Sequence, residues 1–381
     1  MVLSQEKGLA KVSRPHHSLL LAQRQLEVEL NSTSDNPIVN SPGGEVYSGG
    51  NFQAVTVTSA ISKTRLALQM IGRMLWSQVT EIIGPNTNNG LEANLNPSEH
   101  EKYTMKGIDV NMSAYMSELA ALAHPVSSHV MSAEMHNQGI NSLALISARR
   151  TMEAADLVAH MSACHIYVSC QVFEMRANHI RFLSTVHAKL KNVSSDGALS
   201  ELKLQEVQTE ALANILCPIV ESTWYHWNAN TWRDRIPHVV DAVMSPVTDF
   251  LASNENECTM PMLITSKKDF QNMIESTANE MFYPSPTISP SDVAAQLGHG
   301  SAQLYSWVRS TLNIPLHCGL RDDPLYNARE GLPTEDKKTI GSRVSAIYES
   351  LSGGGMMDMV LQSLDIVRGD IVLCASPSAH N

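Results

Sequence analysis

An all-α bundle of very long helices is the fold this sequence predicts, and three observations carry that prediction. Residues 53–83 and 143–176 keep apolar positions at helical spacing and, apart from Gly72, contain neither glycine nor proline. No stretch sustains the period-two alternation of a half-buried strand, so strands should be few. The chain of 381 residues is 43 % hydrophobic but only 5 % aromatic, which provides a large core that is aliphatic and Met-rich.

Taken in order, residues 17–30 carry Leu19, Leu20, Leu21, Leu26 and Leu30, a pattern that suits an amphipathic helix. Residues 31–37, Asn-Ser-Thr-Ser-Asp-Asn-Pro, read as a loop in which Pro37 biases Asn36 to extended backbone. Ser41-Pro-Gly-Gly44 reads as a turn. The Gly49-Gly50 pair permits a tight path that brings Asn51 and Phe52 close to whatever lies opposite. The helix over 53–83 would be about 45 Å long and is stopped by Gly84-Pro85. After an Asn-rich polar loop, a helix is expected over 106–123, ended by Pro125.

Residues 127–150 then place Glu134, Asn137 and Gln138 at i, i+3 and i+4 with His136 between them. On a helix these polar groups share one face. Bordered by aliphatic residues, they form either a hydrogen-bonded core helix or the polar wall of a small-molecule pocket. The helix over 143–176 follows. Near Phe182 the composition shifts, and Trp224, Trp227 and Trp232 fall within ten positions of one another. A helix is expected over 200–217, with Pro218 disfavouring its smooth continuation, and 284–290 reads as a linker or irregular crossing. Helices resume over 291–312 and 339–351, the latter broken by Gly353-Gly-Gly355, with a last one expected over 356–366 and a frayed tail over 374–381. Three segments result: a helical core at 1–182, an inserted helical region at 183–290, and C-terminal helices at 291–381 that return to the core.

A net charge of −11 argues against nucleic acid or an anionic membrane as the main partner. No apolar run approaches a membrane span, and the N-terminal residues lack a secretory pattern. The six cysteines are scattered with no C-x-x-C pair, as expected for reduced thiols in a cytoplasmic protein with no metal site.

Several strings, in order, resemble the aromatic amino acid ammonia-lyases and aminomutases, fungal phenylalanine ammonia-lyase above all. They include ELNSTSDNPIV, GGNFQA, KTRLALQMIGR, KGIDVNMSAYMSELAALAHPVSSHV, SAEMHNQGINSLALISARRT, QVFEMR and TIGSRVSAIYE. The resemblance covers most of 29–176 and resumes over 291–364. It implies an oligomer of long helices, normally a tetramer, with 183–290 similar to the shielding region of eukaryotic members. It also implies that Asn36, Phe52, Lys106, Glu134 and Gln138 occupy substrate- or prosthetic-group-binding positions. The family's 4-methylideneimidazol-5-one forms from an Ala-Ser-Gly triplet, and no such triplet occurs here. Glu92 stands where that loop usually has proline.

Two functions are therefore expected. In the first, the scaffold works without a cofactor as a cyclase, isomerase or pericyclase (a Diels–Alderase, for example) on an apolar small molecule of secondary metabolism. Glu134 and Gln138 would be catalytic, and Asn36, Asn51, Phe52, Lys106, His136 and Asn137 would bind substrate. Holding reactants in near-attack geometry can contribute up to about 7–11 kcal/mol, and a buried Glu134 would act as proton donor or base. In the second, the chain is an inactive subunit that joins a full-length homologue through its long helices. A homo-oligomer is expected in the first case and a hetero-oligomer in the second.

Overall fold

The computed structural model describes residues 5–96, 103–192, 200–228, 231–254, 259–282, 288–335 and 337–361. Helix α1 (Gln5–Leu30) leads into a two-stranded antiparallel hairpin, β1 (Ile38–Asn40) and β2 (Glu45–Tyr47), with Val39 opposite Val46. Next come α2 (Val55–Ile83) and α3 (Lys106–Leu122). A second hairpin, β3 (Met131–Ala133) with β4 (Gln138–Asn141), precedes α4 (Ala144–Lys191). The all-α expectation holds: these two short hairpins are the sheets among the described residues.

Two compact units are distinguished, residues 1–79 with 108–165 and residues 80–107 with 166–381. In the first, the buried Arg65 guanidinium on α2 ties that helix to α4. Its Nη1 donates to the Ser147 carbonyl at 2.7 Å, to Ser147 Oγ at 2.6 Å and to Thr151 Oγ1 at 3.2 Å. Lys63 Nζ donates to Gln25 Oε1 at 3.0 Å and so links α1 to α2. Gly72 has a packing reason: a Cβ there would lie 2.4 Å from Leu119 Cδ2 and 3.2 Å from Met161 Sδ, so α3 and α4 approach α2 through the missing side chain.

Helix α4 outruns its expected end at residue 176 and continues to Lys191. Its 48 residues correspond to about 72 Å of rise. The extension is driven by packing: Phe182, Leu183, Val186 and Leu190 recur at helical steps and are buried in the second unit's core. That core is completed by α5 (Glu206–His226), α6 (Trp232–Ser253) and α7 (Met260–Phe282). Capping boxes at Gln205/Gln208 and Thr231/Asp234 start α5 and α6.

Helix α5 starts at Glu206 and runs on past Pro218 to His226, further than the expected 200–217. Pro218 stands on the exposed side, where a freed carbonyl meets solvent, while Leu212, Leu216, Val220 and Trp224 carry a buried seam past it. The single helix expected over 291–312 is three pieces: α8 (Pro290–Ala294), α9 (His299–Ser306) and a π turn at Trp307–Thr311. After α10 (Pro324–Arg329), α11 (Ile340–Ser352) ends at Gly353 as expected. Residues 362–381, including the expected frayed tail, lie outside the described residues. No helix among those described is long and apolar enough to cross a membrane.

Candidate functional site

Seven of the eight sequence-predicted site residues fall in the first unit, on two turns. The first turn lies at residues 31–54. Asn36, joined to Pro37 by a cis peptide bond, accepts the Gly49 N–H on its Oδ1 at 2.9 Å. Gly50 is required where it stands, because a Cβ would lie 2.0 Å from the Asp35 carbonyl oxygen. This close backbone approach presents Asn51 and Phe52, both exposed, immediately before α2.

The second turn overturns the helix expected around Glu134. Residues 131–141 form the β3–β4 hairpin, with Ala133 opposite Gln138. Glu134, Met135 and His136 all adopt left-handed backbone, with φ of 44°, 52° and 63°. The turn is closed by the Asn137 N–H donating to the Glu134 carbonyl at 2.7 Å. Gln138 Nε2 donates to Glu134 Oε2 at 3.0 Å, and Ser132 Oγ lies 2.6 Å from His136 Nδ1. Glu134, His136 and Asn137 are exposed, and Met135 at the tip is 96 % exposed. The burial expected around Glu134 is therefore not formed by the described residues.

The two turns leave one locality. Thr58 Oγ1, in the first turn of α2, donates to the Ser142 carbonyl at 3.0 Å, just beyond β4. Lys106, the eighth residue, opens α3, is exposed, and falls in the second unit.

A family model for aromatic amino acid lyases matches residues 14–194, which span both turns. This stretch is similar to the aromatic amino acid lyase family. The phenylalanine ammonia-lyase hkm12 of Aspergillus hancockii is 38 % identical over 376 residues, covering 92 % of this chain and 51 % of that protein. The L-β-phenylalanine-forming phenylalanine aminomutase of Talaromyces islandicus is 37 % identical over 347 residues, covering 90 % and 48 %. The crystal structure of phenylalanine ammonia-lyase from Rhodosporidium toruloides superimposes with a TM-score of 0.79 at 27 % identity, over 93 % of this chain and 53 % of that one. The fold is thus the ammonia-lyase scaffold, and the chain spans about half the length of the curated relatives it matches. These 381 residues contain no Ala-Ser-Gly triplet.

Sequence reasoning noticed Glu92 but missed its surroundings in the second unit. Glu92 Oε1 receives Arg235 Nη2 at 2.8 Å, and its Oε2 lies 3.1 Å from His179 Nε2. The Trp224 indole N–H donates to His179 Nδ1 at 2.7 Å. An indole only donates, so Nδ1 is the acceptor, and the ring carries its proton on Nε2, facing Glu92. Burial pushes the His179 pKa down, against the pull of Glu92. Burial alone would raise the Glu92 carboxyl, but Arg235 and His179 outweigh it and hold the pKa at about 2. The result is an ionised Glu92–Arg235 pair with a neutral histidine wedged beside it. Arg235 Nη1 also donates to the carbonyls of Gly90 and Trp224, which locks the Glu92 loop to α5 and α6. The clue in the sequence was a carboxylate in place of proline, which requires a cation that only the fold could identify.

Proposed function

We propose that this chain supplies one wall of an ammonia-lyase-type active site that is completed by polypeptide outside these residues. The reaction is elimination of ammonia from an aromatic amino acid, phenylalanine being the substrate that the names of the relatives suggest. The observation that carries this reading is the exposed β3–β4 tip. Glu134 and Gln138 are already joined by a hydrogen bond, yet Glu134 and Met135 face solvent and Gln138 is only half-buried. A cofactor-independent cyclase or isomerase would need an enclosed chamber around Glu134 and Gln138, and the exposure of Glu134 gives it no support.

In the completed site the electrophile comes from the contributing polypeptide and supplies the activation of the amino acid. This chain's residues bind and orient. The Glu134–Gln138 pair presents a carboxylate oxygen and an amide, Asn51 presents a second amide, and Phe52 presents an aromatic face. His136 and Asn137 are assigned to substrate binding with them, and Lys106, in the second unit, is assigned a substrate-binding role by itself. Asn36 serves by fixing the Gly49-Gly50 turn. Residues 183–290 act as a shielding-type region, a reading supported by the core they build with the end of α4.

The test combines the purified chain with the Ala-Ser-Gly-containing N-terminal half of a phenylalanine ammonia-lyase. Assembly is read by light scattering, and turnover by ammonia release and ultraviolet absorbance of the unsaturated acid. Turnover with both pieces and with neither alone is expected, and Glu134→Gln should reduce it without preventing assembly. A chain that assembles with neither that half nor the full-length homologue would overturn the proposal.

A further inference from the structure

Within the second unit, the segment at residues 84–96 is held down by side chains from three helices. Arg176 on α4 donates from Nη2 to the Asn89 carbonyl at 2.6 Å and to the Asn88 carbonyl at 3.4 Å. Asn228, just beyond α5, donates to the Pro85 carbonyl and, at 3.2 Å, to Asn88 Oδ1. Arg235 on α6 takes both the Gly90 carbonyl and the Glu92 carboxylate, and that carboxylate also faces His179 on α4. The backbone held in this way is strained. Asn89, Asn94 and Leu95 are left-handed, with φ of 56°, 56° and 51°. Left-handed residues other than glycine persist where their surroundings over-determine them, and they cluster at functional sites. Here the surroundings are the polar clamps and the burial of Leu91 and Leu95.

From Glu92 the restraint passes on to Lys106 through short hydrogen-bonded steps. The Leu95 N–H donates to the Glu92 carbonyl at 3.0 Å. The Met105 N–H donates to the Asn94 carbonyl at 3.1 Å, and Thr104 Oγ1 donates to Asn96 Oδ1 at 3.2 Å. Thr104 and Met105 are themselves buried. The next residue, Lys106, is exposed at the first position of α3, with its N–H donating to the Tyr103 carbonyl at 2.9 Å. An ammonium on a four-carbon stem is a mobile point charge, so the place it can serve is set by where its backbone is fixed.

We propose that Glu92 and Arg235 are a positioning pair through which the inserted helical region sets where Lys106 meets its ligand. The inference rests on the substrate-binding role proposed for Lys106. Arg235 supplies the cation from α6, Glu92 carries the restraint into the segment before α3, and Lys106 expresses it at its ammonium. Arg235 is wholly buried, so it acts on substrate through the lysine and not by contact. The inserted region thereby adjusts the site as well as shielding it.

Two readouts test the pair. On the purified chain alone, lysines are reductively methylated with carbon-13 and the Lys106 NMR resonance is assigned from its loss in Lys106→Arg. Glu92→Gln should shift or broaden that resonance. Arg235→Lys, which keeps the charge but loses the fork, is a milder perturbation and should move the same signal. Val243→Ala, a core change on α6 away from the segment, should leave it in place. In the complementation assay, Glu92→Gln should raise KM for phenylalanine by about tenfold and change kcat less, as expected for lost binding. In a Lys106→Met background it should raise KM no further, because the two residues act as one unit. An unmoved Lys106 resonance in both Glu92→Gln and Arg235→Lys would overturn the proposal, as would an equal shift in Val243→Ala. A KM rise of full size in the Lys106→Met background would do the same. Absence of turnover by the wild-type combination would count against the ammonia-lyase reading, and the resonance would still decide whether the pair positions Lys106.

Discussion

Glu92→Gln removes one charge from the Glu92–Arg235–His179 network while keeping the shape of the side chain. Arg235, which has no exposed surface, would then keep a full charge against a neutral amide. Each tenfold change in proton affinity corresponds to about 1.4 kcal/mol. Holding the carboxyl at about 2 instead of 4.5 therefore implies a contribution of about 3 kcal/mol. Breaking one side of a buried ion pair independently suggests about 3–5 kcal/mol, so the expected loss at neutral pH is about 3 kcal/mol. The pH window follows from the direction of the shift. A carboxyl depressed in the folded state contributes fully above its unfolded value of 4.5 and loses that contribution as pH falls toward about 2. Wild type and Glu92→Gln should thus differ most at neutral pH and converge on acidification. Urea unfolding followed by tryptophan fluorescence measures this, because Trp224 hydrogen-bonds the same histidine. A double variant, Glu92→Leu with Arg235→Met, should recover much of the loss, since both charges leave the interior together. Equal stability of wild type and Glu92→Gln at neutral pH, or a gap of undiminished size at pH 2, would refute the assignment.

Three further outcomes are expected. Gly90→Ala should destabilise by about 1–3 kcal/mol, since φ is +90° and a Cβ would lie 2.6 Å from Tyr225 Cδ1; thermal unfolding reads this. The imidazole of His317, pushed by burial down to about 4, should titrate well below a free histidine in a proton NMR titration. Because its folded value is depressed, its contribution to stability is complete above about pH 6.5 and declines as the pH falls toward 4. Ser147→Ala should cost about 1–3 kcal/mol in urea unfolding, because it removes a hydroxyl from the buried Arg65 guanidinium.

The long helices were legible because their signal is local and redundant. Residues 53–83 and 106–123 carry periodicity throughout and end at proline or glycine, and the structure agrees within two residues at each end. What the sequence did not reveal depends on distant partners. The end of α4 was placed too early because the shift near Phe182 marks a change of neighbours, and the helix runs on through it. Pro218 disfavours a smooth continuation, yet a buried seam on the opposite side of α5 carries the helix through. The polar partners of Glu92 and Glu174 lie 143 and 135 positions away in sequence, at Arg235 and Arg309. No spacing rule reaches that far.

The turn at Glu134 was misread in conformation but not in proximity, and geometry explains why. An i, i+4 pair meets on a helix, but it also meets across a four-residue hairpin turn, where residues 132 and 136 or 134 and 138 face each other. The structure realises the second option, with Ser132 on His136 and Gln138 on Glu134. Three consecutive left-handed residues without glycine carry backbone strain, on the order of 1–3 kcal/mol each in unfavourable cases. Nothing in residues 134–136 relieves that strain by composition. If the tip exists to present Glu134 and Gln138, then Met135→Gly should raise the melting temperature while lowering turnover in the complementation assay. A stability gain with no loss of turnover would show that the strained backbone is incidental to the site. Loss of both would mean that the fully exposed Met135 side chain contributes contacts only the contributing polypeptide provides.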